Sequence, residues 1–473
     1  MGEIKFVDTT VRDGNQSIWG ATGLNNGMIL AAAADMDNVG FKCIDFASSI
    51  HMGVSVRTHK ENPWERIRLA AQVIKKTPLS FGTTGRRFIG FKRVPDSVMS
   101  LVMERVAANG IRRVWIVDAN HDVDLMLKVA RMAKLVGIED YIVALSFTIS
   151  PVHTDEYYAQ KARELAQSKD VDTLYIKDQG GLLTPERVRT LVPAIKAVIG
   201  EKPLEIHSHC STGLGPICYL EAIRLGVDVV HTAVPPVANA TSLPSAENIL
   251  ENLSYLNYGA NMEEAAIKTM PSWLWGKDKY WGNLDKTSLQ AMTAHFQQVS
   301  QSEGLPQGQP VEHQASYYIH QVPGGMMTTL RRQLTEMNKL DRLDEVLEEI
   351  TRVRQELGYP IMVTPFSQFV GTQATMNVFS AERYKVVPTE IIQYASEWFG
   401  KPTAPIEPNI LDKIVNHPMA KNIVDKEFAQ PSIDELRQKM GLGASISDEE
   451  FLLRYTMTDK EVDAMLAEQR SNV

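Results

Sequence analysis

Cysteine is scarce. Three residues, Cys43, Cys210 and Cys218, occur in a chain of 473. That is too few for a disulfide framework and fits a reducing, cytoplasmic compartment. Aromatic residues make up only 7% of the chain, and no basic tract interleaves with them. Together with a net charge of −8, this argues against nucleic acid as a partner. No apolar run reaches the length of about 18 residues that a membrane span needs. The opening MGEIKFVDTT lacks the basic and then apolar regions of a secretory signal. No Gly-x-Gly-x-x-Gly follows the first strand-like run, so a dinucleotide site is not supported.

What remains is a composition of 44% hydrophobic and 22% charged residues, which is that of a globular protein. The length calls for two or three domains. Apolar runs of strand length occupy residues 4–10, 41–46, 79–84, 113–118, 141–148, 175–178, 206–209 and 229–234. Helical stretches separate them, for example 26–38, 123–136, 154–168, 185–199 and 216–225. This alternation predicts an α/β protein with a parallel sheet, and eight repeats favour a closed (β/α)8 TIM barrel. From about residue 285 helical patterns dominate, broken by Pro- and Gly-rich loops near 304–310, 322–325 and 400–407. The expected organisation is a catalytic barrel over 1–285, a mainly helical C-terminal domain over 286–430, and a charged, peripheral helical tail over 431–473.

Polar residues close the strand-like runs, where barrel enzymes build their active sites. His207 and His209 stand at i and i+2, so on a strand they share a face. Neutral imidazole is a common ligand of Zn and related metals. Asp13, just past the first run, supplies a carboxylate. Lys177 is an awkward neighbour, because an ammonium repels a cation, unless it carries CO2 as an anionic carbamate. The competing reading is an ion pair between Lys177 and Asp178, with the histidines merely hydrogen-bonded. His231 and Asp8 are alternative partners, and Asp8 is expected to orient Arg12 or a ligand. Zn is the expected divalent metal, and Co or Mn also suit such a donor set.

Six ordered motifs add to this: VDTTVRDGNQS, ENPWERIR, LYIKDQGGLLTP, HSHCSTGLG, HQVPGGMMTTL and ELGYPIMVTPFSQFVGTQA. Together they resemble the biotin-dependent carboxyltransferase family over about residues 3–430. That family includes the oxaloacetate decarboxylase α subunit, the transcarboxylase 5S subunit and the carboxyltransferase domain of pyruvate carboxylase. The resemblance implies a metal held by Asp13, His207, His209 and carboxylated Lys177. It implies CO2 transfer between carboxybiotin and a 2-oxo acid such as oxaloacetate or pyruvate, through a metal-stabilised enolate. Arg12 and Gln16 match substrate contacts. Thr328 matches a proton-shuttling threonine, although a helix N-cap is its bland alternative. A homodimer is also implied.

The sequence departs from the family pattern at four places, one of them the stretch 235–241 after the eighth strand-like run. Thr84 stands where the family has an Arg that grips the substrate carboxylate. A hydroxyl cannot replace a bidentate guanidinium, so either Arg86 or Arg87 reaches in or the substrate differs. The second strand ends in Phe46-Ala-Ser-Ser49 instead of a Gly-Gly pair. No Ala-Met-Lys-Met site occurs, so biotin is expected on a separate carrier protein among other carboxylase subunits. Two alternatives are a biotin-independent C–C lyase or decarboxylase on the same barrel, and a non-catalytic scaffold subunit.

Overall fold

The computed structural model describes residues 2–90, 92–256, 280–422, 428–443 and 445–471. Eight parallel strands follow the sequence runs. They are β1 Gly2–Asp8, β2 Cys43–Ser48, β3 Leu79–Thr83, β4 Ile111–Ile116, β5 Asp140–Ser146, β6 Thr173–Asp178, β7 Leu204–Ser208 and β8 Val229–Thr232. Neighbours in sequence pair with one another, β8 pairs with β1, and Val7 lies opposite Cys43 to close the ring. The sheet is the expected (β/α)8 barrel. A short ninth strand, β9 Tyr280–Gly282, runs parallel to Gly2–Ile4 of β1. Three residues are too few for a periodic signal, so the sequence pattern did not single it out.

The helices of the barrel begin where the chain supplies a cap. Asn62, Asp122, Thr154 and Thr184 each accept a backbone N–H from the first turn, and proline follows two of them. On β7 alternate side chains part company. Leu204 and Ile206 pack in the apolar layer under the helices, while Glu205 and His207 turn into the barrel.

Beyond β9 the described chain is helical. A second apolar cluster includes Leu330, Val346, Ile350, Phe366, Phe369 and Tyr394. It is fastened over the C-terminal ends of β3 to β5. Arg354 donates to the Thr148 hydroxyl (2.9 Å) and the Ile149 carbonyl (3.0 Å), and Asn120 donates to the Phe399 carbonyl (3.2 Å).

Two stretches pack differently from the expected organisation. The helix Lys286–Ser302 buries Leu289, Met292, Phe296 and Val299 in the barrel's own cluster. The tail is not peripheral either. Its Phe451, Leu452, Leu453, Val462 and Met465 are buried in that same cluster, and Trp64 Nε1 donates to the Glu449 carbonyl (3.2 Å). The tail's charge lies elsewhere, for instance where Arg454 pairs with Glu450, Asp459 and Asp463. Composition registers that charged face and is blind to the apolar one.

Candidate active site

The site lies in the mouth of the barrel, where β1, β6 and β7 end. After β1 the chain makes a π-helical turn, Thr10–Gly14, and then the short helix Asn15–Trp19. This turn carries Arg12 and Asp13 inward. Asp13 Oδ2 comes within 3.2 Å of His207 Nε2, and Oδ1 within 3.6 Å of His209 Nε2. Lys177 Nζ is 3.1 Å from His207 Nε2 and 3.8 Å from Asp13 Oδ2. The two Nε2 atoms are 3.2 Å apart, and all four residues are buried. The ligand atoms of Asp13, His207 and His209 lie within 4.8 Å of one another, a span one cation can bridge. His209 Nδ1 faces the Thr241 carbonyl at 2.6 Å and must donate there, which leaves Nε2 as a lone pair aimed at the cluster. The donor set fits a divalent metal.

The alternative pairings are not found. Asp178 turns away from Lys177 and accepts the N–H groups of Leu182 and Leu183 (2.8 Å each) and the Ser208 hydroxyl (2.7 Å). It closes the turn after β6. Asp8 does not orient Arg12. It accepts the backbone N–H and the hydroxyl of Thr10, and burial pushes its carboxyl up to about 7. His231 meets His207 on the ring edge opposite the cluster, Nδ1 to Nδ1 at 3.2 Å.

The charges inside the cluster are uneven. Burial brings the Lys177 amine down to about 8, despite the opposing pull of Asp13. Burial would raise Asp13, but the Arg12 guanidinium beside it holds its carboxyl well below the usual range. Burial and the neighbouring Lys177 keep His207 neutral. An amine that loses its proton near pH 8 is a competent nucleophile for CO2, so the carbamate is chemically accessible here.

Arg12 Nη1 lies 2.8 Å from Asp13 Oδ2 in an ion pair, and its Nε donates to Asp45 Oδ2 (2.6 Å). Its guanidinium lies 4.8 Å from the centroid of the Trp115 ring, and Lys177 Nζ lies 5.3 Å from the same ring. Asp45 also accepts Trp115 Nε1–H at 2.8 Å. A Cβ on Gly82 would fall 1.9 Å from that indole, so only glycine lets the ring lie across β3. Asp45 and Trp115 belong to no motif and were missed in the sequence. Period-2 alternation along β2 and β4 was the available signal.

The remaining candidates are spread around the mouth. Gln16 is half-buried, three residues past Asp13. Thr328 sits within the helix Gly324–Glu336, its hydroxyl donating to the Gly324 carbonyl (3.3 Å). The N-cap of that helix is Pro323, so the N-cap reading of Thr328 does not hold. A Cβ on Gly324 would meet Thr241 Cγ2 at 2.2 Å, so the helix start packs on the residue that orients His209. Arg86 is engaged by Asp122 and, at 3.7 Å, by Asp118. Arg87 has no carboxylate at ion-pair distance among the described residues. It donates to the Thr364 carbonyl (3.2 Å), and burial lowers it to about 10. Thr84 Oγ1 is buried without a hydrogen-bond partner among those residues, and it shares a small cavity with Arg87, Val117, Asp118 and Phe366.

Residues 3–241 match the HMGL-like family, and residues 317–472 match the Conserved carboxylase domain. A pyruvate carboxylase subunit of Methanocaldococcus jannaschii is 35% identical over 460 residues, covering 96% of this chain and 76% of that protein. The chain belongs to the biotin-dependent carboxyltransferase family. Within that family it is an enzyme of the carboxyltransferase type, which removes the scaffold alternative. The large subunit of 2-oxoglutarate carboxylase from Hydrogenobacter thermophilus is 29% identical over 479 residues, covering 100% of this chain and 69% of that protein. The carboxyl transferase domain of Rhizobium etli pyruvate carboxylase superposes with a TM-score of 0.84 at 21% identity, covering 99% of this chain and 77% of that one. At that identity the likeness bears on the fold: the same barrel followed by helices. Among the described residues no helix is long and apolar enough to cross a membrane.

Proposed function

We propose that this carboxyltransferase moves CO2 between biotin on a separate carrier polypeptide and a 2-oxo acid or similar β-carboxy carbonyl compound. The observation that carries the reading is the buried meeting of Asp13, Lys177, His207 and His209 at the barrel mouth. These four residues would hold a divalent metal, Zn before Co or Mn, with Lys177 contributing as its carbamate. A divalent metal bound there would supply Lewis-acid polarisation of a carbonyl oxygen.

Arg12 has a double duty. Three of its donors go to Asp13 and Asp45, which fixes Asp13, and the remaining N–H groups face substrate with Gln16. Between the two loop arginines, the substrate carboxylate belongs to Arg87, because Arg86 is neutralised by Asp118 and Asp122. The orphaned Thr84 hydroxyl is its companion donor. Thr328 moves the proton between biotin and substrate carbon, since a hydroxyl both donates and accepts.

The Methanocaldococcus and Hydrogenobacter relatives are each one subunit of a carboxylase, which supports partners of the same kind here: a biotin carrier and other carboxylase subunits. The reading extends to a homodimer, and to the cytoplasm on the strength of three buried free cysteines. The division into 1–285, 286–430 and 431–473 is proposed as a division of roles, with the tail serving the barrel. The test is CO2 release from a panel of β-carboxylated 2-oxo acids, with and without biotin. Biotin-stimulated release from at least one supports the reading. Release that ignores biotin supports the lyase alternative.

A further inference from the structure

The barrel interior below the cluster is charged, and none of the six sequence motifs accounts for that charge. Glu205 on β7 is fully buried. Arg113 on β4 grips both of its oxygens, at 2.7 and 2.6 Å, and Lys42 donates to Oε1 at 2.8 Å. Asp140 lies 3.3 Å from Arg113 and balances part of the excess positive charge. A carboxylate so paired stays ionised and can only accept. His231 Nε2 stands 2.8 Å from Glu205 Oε2, so that nitrogen carries the proton. With Nε2 committed as the donor to Glu205, His231 Nδ1 is the nitrogen left to accept. Tyr175 stacks on the His231 ring at 5.3 Å and 14°, which fixes the ring plane. His207 Nδ1 lies 3.2 Å from that acceptor and must be the donor. Its Nε2 is then a bare lone pair, and it is the atom that faces Asp13, Lys177 and His209.

We propose that Arg113, Lys42, Glu205 and His231 form a hydrogen-bonded line through the barrel that locks His207 in its Nδ1–H tautomer and so sets the affinity of the site for a divalent metal. These are positioning residues, since none of them touches the cluster except through His207. The proposal rests on the metal-site reading above. Residues hydrogen-bonded behind a metal-bound histidine typically govern affinity by about 10–100-fold.

The first measurement uses the metal-free wild-type protein with 15N-labelled histidine. The line requires His207 to be protonated on Nδ1, and a proton on Nε2 overturns it without any variant. The second is competition for Zn2+ against a chromophoric chelator, in the wild type, His231→Phe and Glu205→Gln. His231→Phe keeps a flat ring against Tyr175 but cannot accept from His207. It is expected to bind Zn2+ about 10–100-fold more weakly, with unchanged far-ultraviolet circular dichroism. Glu205→Gln keeps an acceptor oxygen for His231 and is expected to retain most of the affinity. Equal Zn2+ affinity in His231→Phe and the wild type overturns the proposal. A wild type that takes up no Zn2+ yet shows His207 protonated on Nδ1 separates the two ideas: the metal-site reading fails and the line stands.

Discussion

Lys177 decides how the cluster is charged. As an ammonium it would oppose a cation; as a carbamate it adds an anionic oxygen. Its amine titrates at about 8, so carbamate formation and metal uptake should need bicarbonate and should rise as pH climbs towards 8. Lys177→Ala should purify without stoichiometric metal and without activity, checked by elemental analysis, and a fully loaded variant would sink the carbamate. Arg87 and Arg86 are separable by kinetics. Arg87→Met should raise KM for the 2-oxo acid about tenfold or more, the worth of a hydrogen bond to a charged group. Asp8 gives a pH test outside the cluster. Its native carboxyl titrates at about 7 against 3.8 when free, so between those values the folded state binds the extra proton. Stability from this group is present below about pH 4 and is lost as pH rises through 7. Asp8→Asn should therefore match the wild type at low pH and exceed it above pH 7, by up to about 4 kcal/mol. Urea unfolding at pH 5 and pH 8 checks this, and an advantage independent of pH would contradict it. Much of the residue-level picture was legible. Asp13, Lys177, His207 and His209 announced themselves by position at strand ends. Asp45, Arg113 and Glu205 did not, because a lone charge inside a strand-like run looks like an outward-facing residue until the register is known.

Among the elements, the helix Gly324–Glu336 would link the two halves of the proposed site. It carries Thr328, and it starts against Thr241, whose carbonyl orients His209. Gly324→Ala forces a methyl onto Thr241 and should cost about 1–3 kcal/mol together with turnover. Gly325→Ala, whose Cβ would meet open space, should change neither. Chemical denaturation and kcat on the pair separate local overpacking from a general effect of alanine. The strands were legible because each is an apolar run ended by polar residues. The pairing of this helix with Thr241 was not, since two small residues far apart in sequence leave no pattern.

At the scale of the whole molecule, the barrel is finished by parts far along the chain. The helix Lys286–Ser302 and the tail both complete its apolar layer. Phe451→Ala should cost about 3–5 kcal/mol in denaturant unfolding, where a peripheral tail would register less than about 0.5 kcal/mol. This share of the fold was hidden because charge dominates the tail's composition and nothing local says which helix its apolar face meets. It meets the helices Pro63–Val73 and Asp96–Ala108, through Trp64, Arg68 and Asn109 to Glu449. In synthesis those helices are made early, whereas Ile433 follows Thr232, the end of β8, by about 200 residues. At the ribosome's pace this is a wait of roughly 10–40 s. For that time the nascent barrel has all eight strands and one bare flank, which makes that flank the place where chaperones would engage the unfinished chain.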